Sequence, residues 1–390
     1  MLMKNNIRIT NLTQVHIGSG ETLQKDTDFI VRRNGEYSDI YIIDPDRVGS
    51  KIIGTDQRVL SQWIASIEKG DTNSFFDLFL KRAKPADYSK RRITNYAGDR
   101  RGMTLKEFIH DGTGKPYIPG SSLKGAIRTA IIAFLASKMP ETEKERIVES
   151  LAKNNGRYQD EFGTHRSAED VMLGDTPNES LMRFIRVGDA YYDKGVEMAV
   201  TQVFINQTKN SDNLIDKKRA QPVEVIGAEE TSSFSLAIDK KKFDDVFAQR
   251  NDNKNKDLKG MKFLPTEIST ITGLFKVIND HTRRLVESEI SYWRDLTQYQ
   301  GAEKYIEEME NILNAVNACK DGECVMRVGQ ATGWRFITGA WTECLKNFKD
   351  KVVPNARPHN RQKYEDYDFP KTRRMDDESY LFGFVKLSSI

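Results

Sequence analysis

Residues 116–130 constrain this chain more than any other stretch. Pro119-Gly120 sets a turn, because proline fixes φ and glycine accepts φ > 0. Ser121 or Ser122 follows as a helix cap. Leu123, Ala126, Ile127, Ala130, Ile131 and Phe134 then recur at helical spacing and define one apolar face. Lys124 and Arg128 stand one turn apart on its flank. Backbone N–H groups at a helix start, with cations beside them, suit a phosphate.

The stretch is not a nucleotide-hydrolysing loop. That motif needs Gly, four residues, Gly, then Lys and Ser or Thr. Gly120 and Gly125 have the right gap, but Ala126 and Ile127 follow. The lysine precedes the second glycine, and no hydroxyl stands where Mg²⁺ is held. The helix start therefore reads as a capped amphipathic helix or as an anion site outside the NTPases.

Charge is local rather than global. The 390 residues carry a formal net charge of only +3, with 30% charged residues, so a nucleic-acid surface must be a patch. Two patches exist. Residues 81–101 hold Lys81, Arg82, Lys84, Lys90, Arg91, Arg92, Arg100 and Arg101 against Asp87 and Asp99, with Tyr88 and Tyr96 interleaved. Arg357, Arg361, Lys363, Lys371, Arg373 and Arg374 form the second. Basic residues with aromatics suit phosphates and stacked bases. Cys319, Cys324 and Cys344 are too few for a disulfide framework and lack zinc spacing. They read as reduced thiols of a cytoplasmic protein. No stretch approaches the roughly 20 apolar residues of a membrane span.

Along the chain, Ile7, Ile9, Val15 and Ile17 alternate as in a strand. The segments 29–31 and 40–43 flank Asn34-Gly35, a hairpin signal. Residues 46–110 read as mainly helical, with an apolar patch at Phe75, Phe76, Leu78, Phe79 and Leu80. A charged helix is expected at 142–153, short strands near 184–190 and 199–205, and a hairpin pairing 222–226 with 233–238. Residues 249–260 are polar low complexity. Apolar periodicity predicts two helices between about 272 and 320.

At the motifs, the chain resembles the RAMP superfamily of CRISPR-associated proteins. The resemblance rests on Tyr117 through Arg128, on Val15-His16-Ile17-Gly18-Ser19-Gly20-Glu21, and on Phe369-Pro370-Lys371-Thr372-Arg373-Arg374. Their order and the chain's length are similar to the subunit family found at the crRNA 3′ end of type III-A (Csm) effectors. The resemblance implies an α+β fold of two ferredoxin-like (RRM-like) domains with helical insertions. The implied domains are 1–180, with an insertion at about 46–110, and 181–390, with a helical hairpin at about 272–320. It also implies a non-catalytic crRNA-binding subunit without cofactor or metal that supports crRNA 3′ maturation. Its partners would be crRNA, the Csm backbone subunit, the small helical subunit and host ribonucleases, with no membrane. The implied RNA-binding residues are His16, Gly18, Ser19, Gly20, Ser121, Ser122, Lys124, Arg128, Arg327, Gly329, Gly333, Arg373 and Arg374. The loop Arg327-Val328-Gly329-Gln330-Ala331-Thr332-Gly333-Trp334 also resembles the glycine-rich loop of related RNA-processing endonucleases, with Ala331 where a further glycine is expected.

The alternative is an endoribonuclease. His16, similar to the N-terminal histidine of those endonucleases, would be a metal-independent acid–base group. Asp26 or Asp28 would hold a divalent ion against a scissile phosphate, as resemblance to the RNA-cutting backbone subunit implies.

Overall fold

The computed structural model describes residues 5–69, 79–160, 162–174, 180–206, 213–242, 244–245, 265–356, 370 and 372–390. The strands are β1 (Asn5–Asn11), β2 (Gly18–Gln24), β3 (Phe29–Asn34), β4 (Tyr37–Ile43), β5 (Ser89–Asn95), β6 (Thr104–Phe108), β7 (Tyr117–Ile118), β8 (Tyr158–Gln159) and β9 (His165–Arg166). There follow β10 (Ile185–Val187), β11 (Ala190–Tyr191), β12 (Glu197–Asn206), β13 (Ile215–Ile226), β14 (Thr231–Ile238), β15 (Glu323–Arg327), β16 (Thr372–Asp376) and β17 (Phe384–Ser389). The long helices are α1 (Gln57–Glu68), α2 (Gly120–Lys138), α3 (Glu141–Lys153), α4 (Ile271–Arg294) and α5 (Ala302–Asn317). The protein is thus mixed α+β.

Two large sheets organise it. The first has the order β10-β14-β1-β17-β15, antiparallel throughout. In chain order, α2 lies between β1 and β10, and α4 and α5 between β14 and β15. Ile7 and Ile9 of β1 point inward, while Asn6 and Arg8 are exposed. They meet Leu123, Ile127, Ala130 and Ile131 of α2 and Leu274 and Ile278 of α4 in the largest core. The second sheet runs β2-β6-β13-β12-β5-β4-β3, with β16 on β12. Both sheets draw strands from each side of residue 180, so segments 1–180 and 181–390 share them. No helix among the described residues is long and apolar enough to cross a membrane.

Several expectations are met and others corrected. Asn34-Gly35 does turn a hairpin, with Gly35 at φ 66° and Asn34 opposite Tyr37. The segment 46–110 is helical only in its first part; 89–95 and 104–108 are strands. Ser89, Ile93 and Asn95 are buried on β5, while Lys90 and Arg92 face out, an alternation hidden by the run of charges. The expected hairpin of 222–226 with 233–238 does not form. β13 pairs with β12 along most of its length and β14 pairs with β1, so the turn between them carries the chain from one sheet to the other. Phe75, Phe76, Leu78, the segment 249–260, Arg357, Arg361, Lys363, Phe369 and Lys371 lie outside the described residues.

The start of α2 is also corrected. Neither Ser121 nor Ser122 caps it; Pro119 is the cap residue, with no side-chain hydrogen bond from it. The Gly120 N–H instead donates to Asp189 Oδ1 at 2.6 Å, a partner 69 residues away. A Cβ at Gly120 would lie 2.4 Å from the Val187 carbonyl oxygen, so glycine lets the helix abut the end of β10. Gly120→Ala is expected to destabilise the fold by about 1–3 kcal/mol, the range for overpacking a tight contact, read as a lowered urea midpoint.

Candidate nucleic-acid interface

The N-terminal glycine turn and the late glycine loop form one unit. After β1 the chain bridges Val15 to Ile226 and enters β2 at Gly18. His16 is only 1% exposed. Its Nδ1 lies 2.6 Å from the Glu224 carbonyl oxygen and its Nε2 3.1 Å from the Gln330 side chain. Burial first, then the charges of Lys106 and Arg374, lower its pKa and keep it neutral, outweighing its hydrogen bonds to Glu224 and Gln330. Nδ1–H therefore donates to the Glu224 carbonyl. Nε2 carries the lone pair and lies against the Gln330 side-chain amide. Both ring nitrogens face protein.

Gly329 seals this arrangement. At φ 90° its hypothetical Cβ would fall 2.4 Å from the His16 carbonyl oxygen, so only glycine lets the loop lie on that backbone. The Gln330 N–H donates to the same carbonyl at 3.2 Å. Gly18 covers the His16 ring, its Cβ position 3.4 Å from Nε2. Gly18 and Gly20 are exposed, and Ser19 is held by Glu107 at 3.2 Å. Gly333 lies beyond the short 3₁₀ turn at Gln330–Thr332, with no atom within 4 Å of a hypothetical Cβ.

The cations divide into structural and available groups. Arg327 and Arg373, expected on RNA, are each 5% exposed. Arg327 donates to the Phe382 carbonyl at 2.9 Å and lies between the Phe336 and Phe384 rings. Arg373 holds Glu289 at 2.5 and 2.7 Å. Their guanidinium groups are used inside the fold. Arg374, the next residue on β16, faces the other way, over the Phe204 ring. Lys106 on β6 joins it near enough to His16 to depress the imidazole's pKa. Among the described residues neither Lys106 nor Arg374 meets a carboxylate, and burial alone lowers the Arg374 pKa. Lys124 on α2 is likewise half-buried with its pKa lowered by burial. Arg128 is half-buried one turn on, Ser121 is exposed and Ser122 is half-buried.

Beneath this surface, Arg91 pairs with Glu224 and with Glu107 at 3.0 Å. His110 Nε2 lies 3.0 Å from Glu197. His110, Glu197 and Glu224 place three ligand atoms within 4.8 Å of one another, a spacing open to a metal ion. The Arg91 guanidinium already supplies the countercharge on Glu224. Elsewhere in the 81–101 patch Tyr88 is fully buried, and Arg92, on the outer face of β5, pairs with Asp39 at 3.0 Å. Asp26 and Asp28 close the turn between β2 and β3. Asp26 adopts φ 65°, and the Asp28 carboxylate accepts the Gln24 N–H at 2.7 Å.

Sequence reasoning missed Lys106, Gln330 and Asp189. Lys106 sits mid-strand without a local motif. Gln330 hides in the glycine loop. Asp189 follows Gly188 in a turn whose partner only the fold reveals.

A family model described as the RAMP superfamily matches residues 8–334. The chain belongs to that superfamily. Within it, the chain is similar to Csm5. A Streptococcus thermophilus protein described as CRISPR system Cms protein Csm5 is 26% identical over 169 residues, 39% of this chain and 44% of that protein. The match thus spans under half the relative's length. The fold is shared with a chain of the cryo-EM Csm–crRNA–target RNA ternary complex of a type III-A CRISPR-Cas system. That likeness has a TM-score of 0.66 and 18% identity, and covers 99% of this chain and 100% of the other. T. onnurineus Csm5 gives a TM-score of 0.61 at 18% identity, covering 97% and 99%.

Proposed function

We propose that this chain is a subunit of a type III-A CRISPR (Csm) effector that binds the guide RNA by its backbone, without cutting it. It would cap the crRNA 3′ end, contact the backbone and small helical subunits, and support 3′ maturation through host ribonucleases. The observation that carries this reading is that Lys106 and Arg374, which meet no carboxylate among the described residues, both act on His16, next to Gly18-Ser19-Gly20 at the start of β2. Cations beside a glycine turn recognise phosphate and ignore base identity, which suits a guide whose sequence varies. The locked imidazole of His16 and the turn-forming role of Asp28 argue for binding over cleavage. The order β17-β1-β14-β10, with α2 and α4 as crossovers, matches a ferredoxin-like unit, and we take it as the RRM-like core. The eight-stranded sheet has another order, so a second such unit is not read there.

The test uses purified full-length protein with guide RNA. We expect micromolar or tighter binding that weakens steeply with salt, and intact RNA after incubation with Mg²⁺ or with chelator. RNA cleavage abolished by His16→Ala or by Asp28→Ala would establish the nuclease reading instead. Absence of binding at low salt would overturn the RNA-binding one.

A further inference from the structure

Burial alternates from β11 into the residue that follows it. Ala190 and Tyr192 are buried, the Tyr192 hydroxyl donating to Asn11 at 2.7 Å, while Tyr191 faces out and is 40% exposed. Tyr191 stands opposite Tyr117 in the two-stranded ladder β7–β11. The two rings stack, with centroids 5.1 Å apart and planes 20° apart. The pair is fixed rather than loose. The Asp189 carboxylate, which holds the Gly120 N–H at 2.6 Å, lies close enough to the Tyr191 hydroxyl to help raise its pKa. The Tyr191 carbonyl accepts the Ser232 hydroxyl at 2.6 Å.

The surroundings suit one kind of occupant. Lys115 Nζ lies 5.9 Å from the Tyr191 ring centroid, and Lys194 reaches the Thr113 carbonyl at 3.1 Å. Asp111 is closed into its own turn by the N–H groups of Thr113 and Lys115 and by the Thr113 hydroxyl. Asp189 is engaged as above. Asp111 and Asp189 are therefore bound to the protein, while Lys115 borders a preorganised π surface just before α2 and Lys194 sits at the Asp111–Lys115 turn.

We infer that Tyr117 and Tyr191 form a stacking platform for one nucleobase of single-stranded RNA. The inference rests on the RNA-binding reading and adds a base contact to it. Stacking tolerates any base, because every base has a π face, so a variable guide can still use it. Lys115 and Lys194 would border the flanking phosphates.

The test compares full-length wild type with Tyr191→Ala, Tyr191→Leu and Tyr191→Phe. The probes are an unstructured mixed-sequence RNA and an abasic ribose–phosphate oligomer of equal length. Tyr191→Ala and Tyr191→Leu should weaken binding to the mixed RNA by about 5- to 150-fold, the range for losing one base–aromatic stack. Their dependence on salt and their affinity for the abasic oligomer should match wild type, and Tyr191→Phe should bind as wild type. Tyr191→Leu keeps bulk on the strand, so a parallel urea unfolding curve separates lost stacking from lost folding. Wild-type RNA affinity in a folded Tyr191→Leu protein overturns the platform. If that variant also fails to enter a reconstituted effector, the pair is a protein contact. No RNA binding by the wild type would instead overturn the function proposed above.

Discussion

Replacing Glu289 by alanine is expected to lower the unfolding free energy by about 3–5 kcal/mol, the range for breaking a buried ion pair from one side. Glu289 on α4 is fully buried. It accepts from Arg373 at 2.5 and 2.7 Å, from Arg335 at 2.5 Å and from the Tyr305 hydroxyl at 2.7 Å. One carboxylate thus joins α4, α5, the turn at Trp334–Phe336 and β16. Its removal leaves the Arg373 guanidinium without its carboxylate and Arg335 with Glu343 alone, both residues being 5% exposed. Glu289→Gln should cost less, because the amide oxygen still accepts one bond. Urea unfolding followed by fluorescence of the neighbouring Trp293 reads both. A fall under about 1 kcal/mol for Glu289→Ala would show that water reaches the site and screens the charges.

The same carboxylate adds an acid-labile component. Burial alone would raise its pKa, but the adjoining Arg373 and Arg335 hold it down at about 2. The folded value lies below the ordinary 4.5, so the unfolded chain binds the proton first on acidification. Its stabilisation is complete above pH 4.5 and is lost as pH falls toward 2, about 3 kcal/mol in all. His281 acts earlier. Burial lowers its pKa from 6.5 to about 3, so its contribution starts to fall below pH 6.5. His281→Phe should flatten the stability profile between pH 6.5 and 4.5 and leave the Glu289 limb below it.

Local periodicity made α2 and the Asn34-Gly35 hairpin legible, because both signals are contained within a few residues. The β5 strand was not legible. Its Lys90-Arg91-Arg92 run reads as a solvated patch until Glu224, 133 positions away, is seen to neutralise Arg91. The α2 cap was missed for the same reason, since Asp189 comes from a distant turn. The motif Arg373-Arg374 illustrates the limit most clearly. Sequence placed both arginines on RNA, yet strand alternation sends one into the core and the other outward.

That alternation makes the second large prediction. Changing Lys106 and Arg374 together to alanine should weaken guide-RNA binding about 10- to 100-fold at low salt, and nearly equally for every sequence. If each cation contacts one phosphate, the slope of log affinity against log salt should become shallower by about 1.4, the single-strand value for two contacts. The wild-type advantage should then shrink about sevenfold between 50 and 200 mM salt. Unchanged slope in a folded double variant would remove the Gly18–Gly20 surface from the RNA path. Arg373→Ala is the internal control. Its guanidinium binds Glu289 and not solvent, so it should lower the urea midpoint and leave the salt slope of the folded fraction intact. Adjacent arginines on one strand would then give opposite phenotypes, one in folding and one in binding. A generic loss of positive charge would instead move both readouts for both residues.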